Sequence, residues 1–330
     1  MGTDPPRLGE FGRIERFFRP LAAALPGAFG LTDDAAVLTV PAGQDLVVTT
    51  DAIVEGVHFL PGDPPADIAR KALRVNLSDL AAKGALPLAY TLTLAIGRTI
   101  GDSWVESFAA ALGEDQARYG IVLAGGDSVS TEGPIWVSVG AFGLVPAGRL
   151  VRRRGARPGD GIFVTGTIGD AALGLRLIRG ALSSDRAGRK LLERRYRLPE
   201  PRLGLASSVA EHAHAAMDIS DGLAADLDHI CALSGLTGRV ELERVPLSEP
   251  ARTLVDAEPA LWQAVLGGGD DYELLLAVPA NAQQALESAA RTAAIPLTRI
   301  GQMLAGDGRS LMIAPDGTEM ALATAGWTHA

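Results

Sequence analysis

The sequence predicts an α/β protein of the α+β type with two domains, and three observations support this prediction. Strand-like apolar runs alternate with helical patterns along the whole chain, as in proteins that pack helices on sheets. The 330 residues are enough to build two hydrophobic cores. A segment rich in Arg, Gly and Pro, residues 147–161, interrupts the alternation just before a new strand. We therefore place the domain boundary there, with one domain over residues 1–147 and the other over residues 148–330.

The N-terminal domain begins with an amphipathic helix, predicted over residues 10–25. Two strands, AAVLTV and DLVVTTDAIV, are predicted to form a hairpin across PAGQ. A long helix follows over PPADIARKALRVNLSDLAAKG and ends at Gly84; Asn76, Asp79 and Lys83 share one of its faces. The remaining segments are predicted as a strand, a helix, a strand with a turn, and a strand: LPLAYTLTLAIG, GDSWVESFAAALGEDQARYG, IVLAGGDS and PIWVSVGAFGLVP.

The C-terminal domain again mixes strands and helices. GIFVTG is a predicted strand, a helix starts near Asp170, and a pair of helices spans residues 185–213. MDIS is a predicted short strand that leads into the helix DGLAADLDHICALSG. Further strands are predicted at RVELERV, YELLLAVP, LTRIGQML and SLMIAP.

The composition argues against several classes of function. A net charge of −9 argues against nucleic acid or an anionic membrane as the main partner, although it leaves room for a phosphate ligand bound through metal ions. No run of about 18 apolar residues is present, and the N-terminus lacks the apolar core of a signal peptide. The single cysteine, Cys231, allows no intrachain disulfide and is interpreted as a small buried apolar residue. We therefore expect a cytoplasmic protein with no membrane span.

The most informative feature is a set of acidic residues in short turns after apolar runs. Carboxylates gathered in one place repel each other unless cations lie among them, and hard oxygen ligands favour Mg²⁺. Mg²⁺ held by Asp is what a phosphoryl-transfer site needs, so the set suggests a Mg-nucleotide enzyme. The members of the set are Asp33, Asp34, Asp51, Asp79, Asp127, Asp218, Asp221, Asp270 and Asp271.

Each acidic segment also has a structural interpretation when it is taken alone. In DISDGL, the Ser or an Asp is suited to cap the helix that follows, and the charges of GGGDDYEL suit a solvated loop. Two common nucleotide signatures, the P-loop and a GxGxxG after a strand, do not occur in the sequence. All segments together are difficult to explain as independent structural features, and this favours the enzyme.

Other candidate residues lie outside the acidic set. GTIGD, residues 166–170, opens a helix, and its amides suit either an anion or a plain turn. The two glycines of GGDS allow close approach of the backbone to a ligand. A lone histidine such as His58 is more often structural than functional. The basic run Arg152–Arg154 suits either a solvated loop or a phosphate clamp.

Eight segments, in this order and at these spacings, resemble the thiamine-monophosphate kinases of the aminoimidazole ribonucleotide synthetase superfamily. The resemblance covers nearly the whole chain and implies ATP-dependent phosphorylation of thiamine monophosphate to thiamine diphosphate, with several Mg²⁺ ions and in a homodimer. It also implies a fold in which the N-terminal mixed sheets of two subunits pair into a barrel. A C-terminal α+β domain would complete the active-site cleft. The segments are GEFGRIERFF, TDDAAVL, VVTTDAIVEGVHF, ALRVNLSDLAAKGALP, AGGDS, VTGTIGD, MDISDGL and GGGDDYEL.

The resemblance also implies roles for individual residues. The thiamine phosphate site would be lined by His58, Asp270 and Trp327, of which Trp327 could stack on the thiazolium ring. The family usually has Gly where this chain has Thr32, and Glu where it has Asp270. The implied contacts to ATP are Gly126, Asp127, Arg153 and Ser220. The implied ligands of Mg²⁺ are Asp34, Thr49, Thr50, Asp51, Asp79, Asp127, Asp218 and Asp221.

The chemistry of such a reaction agrees with a site rich in Asp and poor in His and Cys. A phosphate monoester has a second pKa of about 6, so the acceptor is already largely a dianion at neutral pH and needs no general base. We therefore expect no catalytic acid–base residue and a direct transfer without a phosphoenzyme. Two alternatives remain at this point: another ATP-using member of the superfamily, acting on a ribonucleotide amide or a carrier protein's carbamoyl group, and a non-catalytic regulator that binds ATP and Mg²⁺.

Overall fold

The computed structural model describes residues 8–324 and residue 326. The chain divides into two compact units: the residues up to Leu77 together with Pro87–Pro146, and Ser78–Leu86 together with the residues from Ala147 onward. Each unit combines helices with a β-sheet, which confirms the predicted α/β class. Over the described residues, no helix has both the length and the apolar character that a membrane span requires.

The N-terminal segment forms short irregular helical turns instead of the predicted helix over residues 10–25. The α-helix itself, α1, covers only Glu10–Arg13. After it come one π-helical turn and two 3₁₀ segments: Ile14–Phe18, Arg19–Ala22 and Pro26–Leu31. Pro20 and Pro26 favour these breaks because proline has no N–H to donate to a regular helix.

The first unit continues with long strands and two long helices. The predicted hairpin is wrong, because residues 35–40 form no strand and the Val37 N–H instead donates to the carbonyl of Gly27 at 2.8 Å. The elements are β1 (Gln44–Val54), α2 (Pro65–Ala82), β2 (Leu86–Gly97), α3 (Asp102–Tyr119), β3 (Val122–Thr131) and β4 (Trp136–Pro146).

The sheet of the first unit has the strand order β1-β4-β2-β3, so β1 and β3 are its edge strands. Alternate residues of β4, among them Val139 and Ala141, are buried, and the residues between them are partly exposed. β1 pairs antiparallel with β4, so residues opposite each other in the two strands lie on the same face of the sheet. Val48 lies opposite Phe142 on the partly exposed face, and Asp51 lies opposite Val139 on the other face. The sheet therefore has a covered face and an open face.

A buried ion pair joins the two long helices of the first unit. Arg74 of α2 donates from its guanidinium to both carboxylate oxygens of Asp115 of α3, at 2.7 and 2.9 Å. The side chains are 5% and 3% exposed, so water screens the pair little. The next residue, Gln116, donates to the phenol oxygen of the buried Tyr90 in β2 at 3.3 Å, which ties α3 to the sheet.

The second unit places a six-stranded sheet between helices, with the order β10-β7-β9-β5-β8-β6. Besides the last residues of α2, its helices are α4 (Asp170–Ile178), α5 (Arg186–Arg197), α6 (Ala206–His212), α7 (Leu223–Ser234), α8 (Glu249–Ala257), α9 (Trp262–Gly267) and α10 (Gln283–Thr292). Its strands are β5 (Gly161–Thr165), β6 (Ala215–Asp218), β7 (Leu236–Glu241), β8 (Leu274–Val278), β9 (Leu297–Ala305) and β10 (Ser310–Ile313).

Both faces of this second sheet are buried. Along β8, Leu275 and Ala277 belong to one apolar core, whereas Leu274 and Leu276 belong to another. Helices α4 and α7 contribute side chains to the first core, and α6 and α10 contribute to the second. Strands that are apolar on both sides are typical of a sheet covered by helices on both faces.

Replacing Asp115 with Ala should lower the free energy of unfolding by about 3–5 kcal/mol, because it leaves the buried Arg74 without its counter-charge. Chemical denaturation followed by circular dichroism measures the loss. The matched control is Glu114→Ala, since the neighbouring Glu114 is 70% exposed and pairs with Arg70. The control should change the free energy of unfolding by at most about 1 kcal/mol, and equal losses in the two variants would contradict the prediction.

Candidate active site

A pocket of about 250 Å³ in the first unit brings two of the acidic segments together. It lies between the N-terminal turns and strands β2 and β3. Its apolar wall includes Phe18 and Leu92, and its acidic lining residues are Glu10, Asp33, Asp34 and Asp127. TDDAAVL and AGGDS therefore meet in one place, and an apolar wall with a few convergent polar groups is typical of a small-molecule site.

The two glycines of AGGDS have different roles. β3 runs through this segment to Thr131, so Asp127 lies within the strand and not in a turn after it. A Cβ on Gly126 would lie 1.9 Å from the carbonyl oxygen of Leu92, so the close approach at Gly126 serves strand pairing. At Gly125 the corresponding space is open, and Gly125 lines the pocket. Gly126 lines the pocket as well, so both glycines that the sequence analysis singled out lie at the pocket, and Gly125 is the one with open space beside it.

Asp51 also lies within a strand, and its surroundings differ from those of Asp127. Its N–H donates to Oδ1 of Asn76 in α2 at 3.0 Å. Strand alternation places Thr49 and Asp51 on the covered face of the sheet and Thr50 on the open face, so the three side chains do not point to one ion. Asp51 and Asp127 lie on opposite edge strands of the sheet, β1 and β3, which are separated by three strand spacings, or about 14 Å.

His58 is held through both its ring and its main chain. Its Nδ1 accepts the N–H of Val54 at 3.1 Å, which places the proton of the neutral ring on Nε2. Its carbonyl accepts a hydrogen bond from Nζ of the buried Lys71 at 2.8 Å. These bonds give His58 a structural role, and they fix the orientation in which its ring would meet a ligand.

In the second unit, Asp79 and Asp218 lie close together beside a lysine. Asp218 is the last residue of β6 and is 5% exposed, while Asp79 belongs to the final turns of α2. Burial first, and then the charge of Asp79, raise the pKa of Asp218 well above its usual range; a hydrogen bond from Ser78 and the charge of Lys83 oppose this. Like charges held this close in a buried place favour the binding of a cation.

Lys83 is the basic member of this group. Its Nζ donates to the carbonyl of Ala216 in β6 at 2.7 Å. Burial lowers the pKa of Lys83 to about 8; Asp218 raises it, Arg153 lowers it further, and Asp79 raises it. The sequence analysis placed Lys83 on one helix face with Asp79 but assigned it no role; its i, i+4 spacing from Asp79 was the signal that could have assigned one.

The segment DISDGL is held by a carboxylate from inside the next helix. The N-cap residue of α7 is Gly222, which has no side chain, so the cap expected from Ser or Asp of DISDGL is not formed. Instead, Oδ2 of Asp226 accepts the N–H groups of Ser220, Asp221 and Gly222 at 3.0, 3.1 and 3.2 Å. Burial and then the charge of Asp221 raise the pKa of Asp226 to about 7, against the effect of the three backbone hydrogen bonds.

Main-chain hydrogen bonds join DISDGL to GGGDDYEL. The N–H of Asp270 donates to the carbonyl of Ser220, and the N–H of Tyr272 donates to the carbonyl of Ile219, both at 2.8 Å. In return, the N–H of Ile219 donates to the carbonyl of Glu273 at 2.8 Å. The two acidic segments therefore form one connected piece of structure.

The glycine-rich segment reaches this position through left-handed backbone conformations. Gly269 has a φ of +71°, and a Cβ there would lie 2.4 Å from the carbonyl oxygen of Ser220. Asp270 has a φ of +65°. Asp adopts this conformation more readily than most residues because its short polar side chain can form local hydrogen bonds. The conformation gives a physical reason for Asp at a position where the family resemblance leads us to expect Glu.

Asp271 fills the helix N-terminus that follows GTIG. Its carboxylate accepts the N–H of Gly169 at 2.7 Å and that of Ala171 at 3.4 Å. Burial raises the pKa of Asp271 well above its usual range, while the bond from Gly169 opposes the shift. The GTIGD segment, which the sequence assigns either to an anion site or to a plain turn, thus donates the N–H groups of Gly169 and Ala171 to a carboxylate of the chain itself.

Glu273 anchors the far end of GGGDDYEL in the core. It is 2% exposed and accepts hydrogen bonds from Nε of Arg202 and from the hydroxyl of Thr165, both at 2.6 Å. The Thr165 hydroxyl also accepts the N–H of Leu274 at 2.8 Å. This buried and fully paired charge holds the end of the segment against strand β5.

Comparison with known proteins gives the family. The model for the N-terminal domain of AIR synthase related proteins matches residues 32–145, and the model for the C-terminal domain matches residues 157–314. The chain is 45% identical to the thiamine-monophosphate kinase of Caulobacter vibrioides, over 97% of this chain and 90% of that protein. The chain belongs to the thiamine-monophosphate kinase family.

Solved structures of thiamine-monophosphate kinases share the fold. The enzyme from Stenotrophomonas maltophilia K279a superimposes with a TM-score of 0.82 at 39% identity, covering 96% of this chain and 99% of that one. A second structure, AaThiL complexed with AMPPCP and TMP, superimposes with a TM-score of 0.77 at 31% identity, covering 99% and 100%. The family and the two-domain fold of the single chain that the eight segments predicted are therefore confirmed, whereas the pairing of two subunits into a barrel stays a prediction.

Arg153 and Trp327 are the other residues expected to bind ligands in a thiamine-monophosphate kinase. Arg153 is exposed, and the carbonyl of the preceding Arg152 accepts the N–H of Ala216 in β6 at 3.0 Å. Arg153 is close enough to Lys83 for its charge to act on the lysine. Trp327 lies outside the described residues.

The acidic residues of the second unit fit the hard cations that a kinase of this family would use. Asp79 and Asp218 repel each other at close range, and a divalent cation relieves such repulsion. A carboxylate oxygen of Asp221, one of Asp226 and a ring nitrogen of His229 lie within 4.8 Å of one another. Carboxylate oxygens are ligands that Mg²⁺ prefers, so the two carboxylates suit that ion, whereas the imidazole of His229 does not favour it.

Replacing Asp271 with Ala should lower the free energy of unfolding by about 1–3 kcal/mol, because the N–H of Gly169 loses its acceptor. Asp271→Asn keeps an acceptor oxygen of the same reach and should cost less. Urea denaturation of the two variants beside the unchanged protein measures the difference. Equal losses for Ala and Asn would contradict the prediction, since they would show that the charge and not the hydrogen bond matters.

Proposed function

We propose that this chain transfers the γ-phosphoryl group of ATP to the phosphate of thiamine monophosphate, giving thiamine diphosphate and ADP. The observation that carries the proposal is family membership over nearly the whole chain, with 45% identity to a thiamine-monophosphate kinase over 97% of its residues. A relative that this chain covers completely is described in complex with AMPPCP and TMP. AMPPCP is an ATP analogue, which supports ATP as the phosphoryl donor.

The reaction is a direct displacement. An oxygen of the acceptor phosphate forms a bond to the γ-phosphorus of ATP, and the bond from that phosphorus to the β,γ-bridging oxygen breaks as ADP leaves. The acceptor is largely a dianion at neutral pH, so no proton has to be removed and no residue is assigned as a general base. The main obstacle is repulsion between two anions, which positive groups and fixed alignment overcome.

Mg²⁺ is part of the proposal, and when bound it would neutralise phosphate charge and fix an in-line geometry. Several ions are proposed because the side chains of Thr49 and Asp51 lie on one face of β1 and that of Thr50 lies on the other. The close pair of Asp79 and Asp218 supports one of these sites. The proposed ligands are Asp34, Thr49, Thr50, Asp51, Asp79, Asp127, Asp218 and Asp221.

The remaining roles are proposed from the family. Gly126, Asp127, Arg153 and Ser220 would contact ATP, and Lys83 adds a positive charge beside Asp218. The thiamine phosphate contacts would be His58, Asp270 and Trp327. The first domain, residues 1–147, would bind ATP and Mg²⁺, and residues 148–330 would complete the site in a cytoplasmic enzyme.

The purified chain should convert ATP and thiamine monophosphate to thiamine diphosphate with Mg²⁺, and EDTA should abolish the reaction. Asp218→Asn should lower kcat on the order of 100-fold, because it removes a proposed ligand charge. Asp316→Asn, at an exposed acidic position, is the control and should keep the rate. Chromatography of the thiamine diphosphate product measures each rate.

Two results would contradict this proposal. Bound ATP without thiamine diphosphate would mean a different acceptor, such as the ribonucleotide amide or carbamoyl group used elsewhere in the superfamily, or a regulator without activity. A phosphorylated protein trapped with ATP in the absence of acceptor would exclude direct transfer.

We also propose that the chain forms a homodimer through the open face of the first sheet. Val48 and Leu46 of β1 are 60% and 38% exposed. They lie opposite Phe142 and Leu144 of β4, so the four side chains form one apolar strip. β1 is also an edge strand of 11 residues, and long unpaired edges readily meet another chain.

Val48→Asp should convert the protein from a dimer to a monomer, because a charge in the apolar strip would be buried in the pair. Light scattering after gel filtration should give about twice 34.2 kDa for the unchanged chain and 34.2 kDa for the variant. Leu233→Asp is the control, since Leu233 is an apolar residue of α7 that is 51% exposed. A monomeric unchanged chain, or a Val48→Asp dimer, would contradict the proposed interface.

A further inference from the structure

Asp226 holds three consecutive amides with one oxygen. Its Oδ2 accepts the N–H groups of Ser220, Asp221 and Gly222 at 3.0–3.2 Å. The residue is fully buried, and among the described residues its Oδ1 has no hydrogen-bond partner. The side chain is thus oriented by the three amides, and they in turn are oriented by it.

The same peptide segment is fixed from its other side. Asp270 and Tyr272 donate to the carbonyls of Ser220 and Ile219, and the N–H of Asp226 donates to the carbonyl of Gly222. With the amides bound to Asp226, most main-chain polar groups from Ile219 to Gly222 have a partner within the chain. The main-chain polar groups of this segment are therefore used mostly in hydrogen bonds within the chain, and its side chains are the groups available to a ligand.

We propose that Asp226 is a positioning residue for phosphoryl transfer, which fixes the main chain of residues 220–222 so that the Ser220 hydroxyl and the Asp221 carboxylate are held for ATP and a cation. The inference rests on the proposed function of this same site. Asp226 acts through the segment and does not touch the reacting atoms. Misplacing such groups by about 1 Å costs on the order of 100-fold in rate, so the three amide bonds matter to the reaction beyond their effect on stability.

Direct cation binding by Asp226 is the competing explanation. Asp221, Asp226 and His229 offer ligand atoms within 4.8 Å of one another. The amide bonds favour positioning, because they already use Oδ2 and leave only the buried Oδ1 for an ion. The two explanations differ in what the residue must supply: positioning needs only an acceptor oxygen, whereas a ligand to a hard cation binds more tightly when it carries the carboxylate charge.

Asp226→Asn and Asp226→Ala separate these requirements. Asn keeps an acceptor oxygen of the same reach and removes the charge, whereas Ala removes both. Asp228→Ala is the matched control: Asp228 lies on the same helix and accepts the N–H of Ser310 at 2.5 Å, outside the site. His229→Ala tests the competing explanation, because His229 is exposed and would matter only as a ligand. All variants are made in the full chain and checked for folding by circular dichroism.

Kinetics and amide exchange provide the readouts. Asp226→Ala should lower kcat about 100-fold and raise the Mg²⁺ concentration for half-maximal activity about tenfold. Asp226→Asn should stay within about fivefold of the unchanged protein in both quantities, and Asp228→Ala and His229→Ala should stay within about twofold. Hydrogen exchange followed by mass spectrometry should be faster across residues 219–222 in Asp226→Ala and unchanged there in Asp226→Asn and Asp228→Ala.

Three results would overturn the inference. Unchanged kinetics in a folded Asp226→Ala variant would remove the residue from the reaction. If Asp226→Asn were as impaired as Asp226→Ala while its amide exchange stayed normal, the charge of Asp226 and not its hydrogen bonds would matter. If His229→Ala needed more Mg²⁺ for half-maximal activity, Asp226 would be a metal ligand together with His229. If Asp226→Ala does not fold, Asp226→Asn and His229→Ala still separate positioning from ligation.

Failure of the proposed function is distinguishable from failure of this inference. If the unchanged chain forms no thiamine diphosphate, the proposed function fails, and calorimetry with AMPPCP and Mg²⁺ takes the place of kinetics. Asp226→Ala should then weaken AMPPCP binding about tenfold, with Asp226→Asn close to the unchanged chain. Equal AMPPCP affinity in all three proteins would overturn the positioning role.

Discussion

The acidic site of the second unit depends on a short ladder of main-chain hydrogen bonds between residues 219–220 and 270–273. The ladder continues the antiparallel pairing of β6 with β8, whose last pair is Asp218 with Leu274. Two loops that carry acidic side chains are therefore extensions of a buried sheet. Gly269 makes this possible, because a side chain there would collide with the carbonyl of Ser220. A rigid scaffold thus sets the positions of residues that would be mobile in ordinary loops.

This arrangement buries several carboxylates, and their burial has electrostatic consequences. Desolvation is the first cause of the raised pKa of Asp218, Asp226 and Asp271. Backbone amides mainly compensate the buried charges of Asp226 and Asp271. Asp218 instead lies near the positive charge of Lys83, which stabilises its ionised form, and near the like charge of Asp79, which destabilises it. Buried like charges cost free energy in the folded state. Binding of a positive charge at such a site would relieve this cost, and the site therefore suits a ligand that binds together with cations.

Sequence alternation predicted the fold class and most strands, but it placed two carboxylates wrongly. Both were grouped with residues in turns after apolar runs, although the predicted strand DLVVTTDAIV already included Asp51; in the structure Asp51 and Asp127 lie within strands. Thr49 and Thr50 favour the extended conformation, and Gly126 pairs closely with Leu92, so neither segment stops its strand. Asp226 was missed for a different reason: in LAADLDHI it fits the polar face of an ordinary helix. Its role arises only because the preceding loop folds back over the helix.

The alternation of side chains along β1 links the apolar strip on the open face of the first sheet to the position of Asp51 on its covered face. β1 presents Val48 on the open face of its sheet and Asp51 on the covered face, near Asn76 of α2. The 11 residues of β1 are paired in one unbroken antiparallel register with β4, so neither face can change independently. A slip of one residue would move the apolar strip to the covered face and the carboxylate to the open one. The long strand therefore constrains the surface proposed for a second copy and the proposed metal ligands together.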